Sequence, residues 1–349
     1  MAIEKSLKDL APDCEILAIN GFGYTYPLLE QVINKAYMGI IKNTPQVWEY
    51  LYDNQKIAKR FESLKTFLHK SSHKKLAELF NDFKPDVVVC TQAFPCGMAA
   101  DYKRSENLPI KVIGVLTDHA PHLYWVHEGV DYLVVPSEMA KQRYLKEGYK
   151  QDQVKVLGIP IRPKFAEYLN REAICQKLKL DPHMPIVLIM GGGQGLGPMK
   201  ETAKALLALK KTLQLIVISG TNVKLYEWLR KQQKKDKKIL VYDYAANVDE
   251  LMTVASLIVS KPGGMTTSEC LTKGLPMVIV DPIPGQEQRN AQFLVHAGIA
   301  VKVNEKQDIA STIEHLLQDK ARLQSMRTAA LKHAKPHAAA DIARLALTV

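Results

Sequence analysis

At 349 residues the chain exceeds what one hydrophobic core holds, and at about 150 residues per domain it divides into roughly two. With 47% apolar and 24% charged residues it has the make-up of a folded globular protein, which excludes a disordered or low-complexity chain. Its formal net charge of +11, from 47 Lys and Arg against 36 Asp and Glu, favours a polyanionic partner such as phosphates, anionic lipid or nucleic acid.

The opening residues MAIEKSLKDL read as a helix and not as a signal peptide. The longest apolar stretches, five to seven residues, fall far short of the roughly 20 that cross a bilayer, so any membrane contact is expected to be peripheral. The five cysteines, Cys14, Cys90, Cys96, Cys175 and Cys270, are odd in number and form no C-x-x-C pair, which points to the cytosol. Apolar runs at Glu15–Ile19, Asp86–Cys90, Lys111–Leu116, Tyr132–Val135 and Val154–Leu157 alternate with amphipathic segments, the pattern of parallel βαβ units.

Between the first two runs, Gly21 to Leu29 followed by Tyr37, Ile40, Ile41, Trp48, Tyr50, Leu51 and Tyr52 concentrates aromatic and aliphatic side chains. Lys56, Lys59, Arg60, Lys65, Lys70, Lys74 and Lys75 follow. This pairing suits either an anionic membrane interface or a helical layer with a buried aromatic face. No nucleic-acid module accompanies the charge, so no nucleic-acid partner is expected.

The loop after Lys111–Leu116 holds Asp118, His119, His122 and Trp125, polar groups at the carboxyl end of a predicted strand, where α/β folds bind ligands. Its H-x-x-H spacing, with His127 beyond, lacks the cysteines or acidic cluster of a metal site, and no metal is expected. The two prolines of Gly158-Ile-Pro-Ile-Arg-Pro163 mark a crossover, dividing the chain into domains at 1–160 and 161–324. In the second half the runs Pro185–Met190, Gln214–Ser219, Ile239–Val241, Leu257–Ser260, Met277–Val280 and Ala300–Val303 predict a second doubly wound sheet. The run Arg230 to Lys238 reads as a solvated helix end, and a helix at about 325–349 is expected to return to the first domain.

In the second half, Leu257-Ile-Val-Ser-Lys-Pro-Gly-Gly-Met-Thr-Thr-Ser-Glu-Cys-Leu271 runs from a buried strand through Pro-Gly-Gly into a helix expected to begin near Thr266, Thr267 and Ser268. Glycines let a ligand approach the backbone, and the first helical N–H groups and the helix dipole favour an anion. A diphosphate fits there without a metal, with Gly263, Gly264, Met265 and Thr266 around it and Glu269, on the expected first turn, as acceptor for a ribose diol. Met190-Gly-Gly-Gly-Gln-Gly-Leu-Gly197, through Gly192, Gly193 and Gln194, can close over the same phosphates; it is neither G-x-G-x-x-G nor a Walker loop. A third segment, Asp281-Pro-Ile-Pro-Gly-Gln-Glu-Gln-Arg-Asn290, presents Gln286, Glu287 and Asn290, suited to sugar hydroxyls or equally to an exposed helix start.

Together the glycine loop, KPGGMTTSECLTKGLPMV, PIPGQEQRNA and TDHAPHLYW resemble glycosyltransferase family 28, in particular its diacylglycerol glucosyltransferases and monogalactosyldiacylglycerol synthases. The resemblance implies a GT-B architecture, two Rossmann-like α/β domains facing a cleft. It also implies inverting transfer of a hexose from UDP-glucose or UDP-galactose to diacylglycerol, at the inner face of the cell membrane and without cofactor. It puts Gly263, Gly264 and Met265 at the diphosphate, Glu269 at the ribose, Gln286 and Glu287 at the hexose, and Arg162 on the nucleotide side. The uracil would meet backbone near Tyr242 to Ala245, Tyr244 included. Asp118, with His119, is the candidate general base. Family members carry an earlier strand and a glycine-rich loop ending in His, which do not match here; a first strand missing from the N-terminal domain and an impaired, UDP-binding form are therefore expectations too. The competing enzyme class is a UDP-N-acetylglucosamine 2-epimerase.

Overall fold

The computed structural model describes residues 2–29, 73–209, 213–236 and 238–349. The aromatic residues Tyr37 to Tyr52 and the basic residues Lys56 to Lys70 lie outside them. The chain forms two compact units, one of Met1–Pro163 with Ile283–Gln286 and His337–Val349, the other of Lys164–Pro282 with Glu287–Pro336.

The first unit is built on β1 (Val87–Cys90), β2 (Lys111–Val115), β3 (Tyr132–Val135) and β4 (Val154–Val156), all parallel, in the order β1-β2-β3-β4. Parallel strands are covered on both faces, which is why they stand out as unbroken apolar runs. On one face Val112, Leu133 and Val135 pack with Cys96, Met98 and Ala99 of α3 (Ala93–Ser105) and with Ala140 and Tyr144 of α4 (Glu138–Lys146). On the other, Ile113, Val115 and Val134 meet Ile3 and Leu7 of α1 (Ala2–Leu10) and Ile342 and Ala346 of α13 (Ala338–Thr348). A short helix, α2 (Gly21–Thr25), is capped by the Asn20 side chain, which accepts from Gly23 N–H, and Phe22 sets its ring edge-on to Phe94.

Glu15–Ile19, expected as a strand, is not one. It has no ladder partner among the described residues, and Leu17 and Ile19 are 47% and 45% exposed; an apolar run supplies the composition of a strand but not the neighbour that satisfies its N–H and C=O groups. The single helix expected at about 325–349 is also two: α12 (Lys320–His333) belongs to the second unit and α13 to the first, parted at Pro336, which cannot continue a helix.

The second unit has six parallel strands, β5 (Ile186–Met190), β6 (Gln214–Ile218), β7 (Ile239–Tyr242), β8 (Leu257–Ser260), β9 (Met277–Ile279) and β10 (Ala300–Lys302), in the order β10-β9-β8-β5-β6-β7. The chain winds outward from β5 through β6 and β7, then returns to the other side of β5 with β8. Its helices are α5 (Arg171–Leu178), α6 (Met199–Leu207), α7 (Val223–Lys235), α8 (Val248–Val254), α9 (Gly264–Lys273), α10 (Gln286–His296), α11 (Ile309–Gln318) and α12. Of the charge run, Arg230 to Lys235 forms the last turns of α7, with Arg230, Lys231, Lys234 and Lys235 exposed.

Candidate functional site

The reversal of strand order between β5 and β8 splits the loops that follow them, and the crevice so opened at the carboxyl ends of the strands is where doubly wound sheets take ligands. The loop after β5 is the glycine loop. Leu196 N–H donates to Gly191 C=O (2.9 Å) and Gly195 N–H to Gly192 C=O (3.1 Å), folding it into two tight turns. Gly195, at φ 59, admits no side chain: a Cβ there would stand 1.9 Å from Ser219 O. Thr221 N–H donates to Gly193 C=O, which ties the loop to the segment after β6. Gly192, Gly193 and Gln194 are exposed, and Cβ atoms on the two glycines would meet nothing within 4 Å. Their backbone is open to a ligand.

After β8, Lys261-Pro-Gly-Gly264 turns directly into α9, whose N-cap is Gly263. The helix therefore begins ahead of Thr266–Ser268. Those hydroxyls do not cap it: Thr267 Oγ1 donates back to the Gly263 and Gly264 carbonyls at 3.0 and 2.9 Å, and Ser268 Oγ to Gly264 C=O at 2.9 Å. Thr267 N–H makes the first intrahelical bond, to Gly263 C=O, so by helix geometry Gly264, Met265 and Thr266 carry the N–H groups left without an intrahelical acceptor. Met265 is exposed and Thr266 half-buried. This early start moves Glu269 off the first turn and onto the second, where it is half-buried.

The loop after β9 leads into α10 and closes the group. A Cβ on Gly263 would meet just one heavy atom within 4 Å among the described residues, Glu287 Oε1 at 3.9 Å, so the Glu287 carboxylate faces the Pro-Gly-Gly turn. Asn290, expected either at the hexose or as an exposed helix-start residue, is neither. It is fully buried, and Nδ2 donates to Pro262 C=O at 3.0 Å, pinning α10 to the turn before α9. Gln286 opens α10 half-buried. Because Ser260 pairs with Ile279, Lys261 and Asp281 leave neighbouring strands near one another, Nζ to Oδ2 being 3.9 Å. Lys261 was absent from the sequence-based set; a lysine directly before Pro-Gly-Gly was its one signal. Tyr244, just beyond β7, is 75% exposed, and Arg162 is exposed near the end of the first unit's long segment.

In the first unit Asp118 follows β2 half-buried, and His119 is 4% exposed. The histidines of this loop are buried or half-buried rather than exposed. His122 is half-buried and caps the single turn Leu123–Trp125, its Nδ1 accepting from Tyr124 N–H. His127 is buried, with Nε2 3.1 Å from Ala93 O, and its ring fills the space where Gly97 has no side chain, 2.6 Å from a Cβ placed there. Two tyrosines hold the loop's backbone. Tyr144 OH donates to His122 C=O and accepts from His122 N–H, while Tyr149 OH donates to Trp125 C=O; burial pushes the Tyr149 phenol up to about 12.

The Monogalactosyldiacylglycerol (MGDG) synthase family matches residues 1–161, and the glycosyltransferase family 28 C-terminal domain matches residues 186–342. The processive diacylglycerol beta-glucosyltransferase of Bacillus pumilus is 31% identical over 94% of this chain and 86% of its own length. That of Bacillus subtilis is 32% identical over 86% of this chain and 78% of its own. Among solved structures, Acinetobacter baumannii MurG superposes with a TM-score of 0.60 at 17% identity, covering 81% of this chain and 79% of MurG. The Staphylococcus aureus MnaA-UDP structure gives 0.59 at 17%, covering 80% of each. At such identities these structures establish the fold, which is GT-B. The chain belongs to glycosyltransferase family 28, in the branch that holds the processive diacylglycerol β-glucosyltransferases, and it is a glycosyltransferase of GT-B fold.

Proposed function

We propose that the protein transfers a hexose, glucose in the first instance, from a UDP-sugar to diacylglycerol with inversion, giving a β-glycosyldiacylglycerol. The observation that carries this reading is the match along 94% of the chain to an enzyme named for that reaction. The loops after β5, β8 and β9 suit the donor half of it. The N–H groups of Gly264, Met265 and Thr266 and the dipole of α9 are suited to the diphosphate, the open backbone at Gly192 to Gln194 to its other side, Glu269 to the ribose, and Gln286 and Glu287 to the hexose. Tyr242 to Ala245 and Arg162 are assigned to the uridine side.

In the chemical step the acceptor oxygen attacks the anomeric carbon, the bond from that carbon to the phosphate oxygen breaks, and its electron pair leaves with UDP. Asp118, beside His119, takes the acceptor proton. Amide hydrogens aimed at the phosphates stabilise the charge that develops there, so the reading needs no metal. The acceptor comes from a bilayer; no helix of the described residues is long and apolar enough to cross one, and we place the protein peripherally on the cytoplasmic face.

Proton NMR of the lipid formed from UDP-glucose and diacylglycerol vesicles in EDTA tests this. A β-anomeric glucolipid formed at the rate seen without EDTA supports it. An α-anomer, loss of activity on chelation, or epimerised UDP-sugar without glycolipid each contradicts a stated part.

A further inference from the structure

Lys261 sits between Ser260, the last residue of β8, and the Pro-Gly-Gly turn. Its side chain is 11% exposed, and its Cε lies 3.6 Å from the position of a Cβ on Gly197, the last glycine of the loop after β5. The stem is thus covered by one donor loop while the residue itself begins another. A cation this enclosed needs compensation. Among the described residues it has one ion pair, with Asp281, at 3.9 Å and beyond hydrogen-bonding range. Asp281 is itself 59% exposed at the side chain and stands at φ 45, in the left-handed region, on the loop after β9. The pair therefore joins an enclosed cation to a solvated, loosely held anion, at the switch point where three loops meet.

We infer that Lys261 is the cation that meets the donor's diphosphate, and that Asp281 is a stand-in counter-ion which the phosphates displace. This rests on the donor site proposed above. Two consequences follow from the electrostatics. Lys261 acts on the phosphates and not on the nucleoside. Asp281 competes with them for Lys261, so it weakens UDP binding and eases release of UDP after transfer; it is a positioning residue acting through Lys261.

Calorimetry with UDP and with uridine as probes separates these roles. Lys261→Met should weaken UDP about tenfold or more, the scale of a charge-assisted contact, and leave uridine unchanged. Lys261→Arg, which keeps the charge, should stay within about threefold of the wild type if the cation is what matters. Asp281→Asn should tighten UDP by up to about fivefold, the ceiling for a solvated ion pair, and lower kcat where product release limits turnover. In the Lys261→Met background, Asp281→Asn should change nothing. Asp281 is exposed, so its variant tests the idea even where Lys261→Met folds poorly. Weaker UDP binding in Asp281→Asn, or the same gain with and without Lys261, overturns the inference, as does wild-type UDP affinity in Lys261→Met. If the unaltered protein binds no UDP at all, the donor-site reading falls and this inference with it; if it binds UDP and only the variants disagree, the donor site stands and this inference alone fails.

Discussion

Asn290 fastens the loops after β8 and β9 to one another with one buried bond. Its amide donates to Pro262 C=O, a carbonyl that a proline-glycine turn leaves outside any ladder. Asn290→Leu should cost about 1–3 kcal/mol, because the carbonyl is then buried unpaired, and the thermal midpoint of the whole protein measures it. Its UDP affinity should fall too, as Pro-Gly-Gly loosens. Glu269, a turn further along α9 than its sequence context implied, keeps its proposed ribose contact; Glu269→Ala should weaken UDP about tenfold by calorimetry, and unchanged affinity would defeat that assignment. At this scale the sequence spoke through residue type. Gly192, Gly193 and Glu287 were singled out by residue type and family resemblance, and the structure leaves the two glycines open and brings Glu287 to Gly263. What Asn290 and Lys261 touch was not legible, since Pro262 and Asp281 become their neighbours only through the pairing of β8 with β9.

The strands of both units were legible because buried parallel strands are continuous apolar runs between helices, and ten of the eleven runs match strands to within a residue at each end. Two elements escaped for different reasons. The start of α9 was misplaced because Thr266, Thr267 and Ser268 are the residue types of a cap; inside a helix the same hydroxyls can bond the carbonyl four residues back, as Thr267 and Ser268 do here. Glu15–Ile19 was overcalled because pairing is a property of two segments and composition of one. The last helix, α13, shows the reverse case: a modest Ala-rich tail that lays Ile342 and Ala346 on the face of β2 and β3. Ile342, fully buried, should cost about 2–5 kcal/mol as Ile342→Ala, read as earlier melting of the first unit in differential scanning calorimetry. An unchanged transition would mean that α13 does not cover that sheet.

At the scale of the molecule, composition limited the outcome more than it decided it. Two domains, a positive net charge and a sequence without a long apolar segment are compatible with many phosphate-binding proteins; the joint presence of the glycine loop, Pro-Gly-Gly and Gly-Gln-Glu stretches is what narrowed them to family 28. The proposed reaction moves a hexose from a UDP-sugar onto diacylglycerol. The direct measurement is incorporation of label from UDP-[14C]glucose, and in parallel UDP-[14C]galactose, into organic-extractable lipid by the purified protein with diacylglycerol vesicles. Labelled glycolipid that depends on diacylglycerol is expected, with glucose the better donor. Intact protein that binds UDP yet labels no lipid from either donor would contradict it.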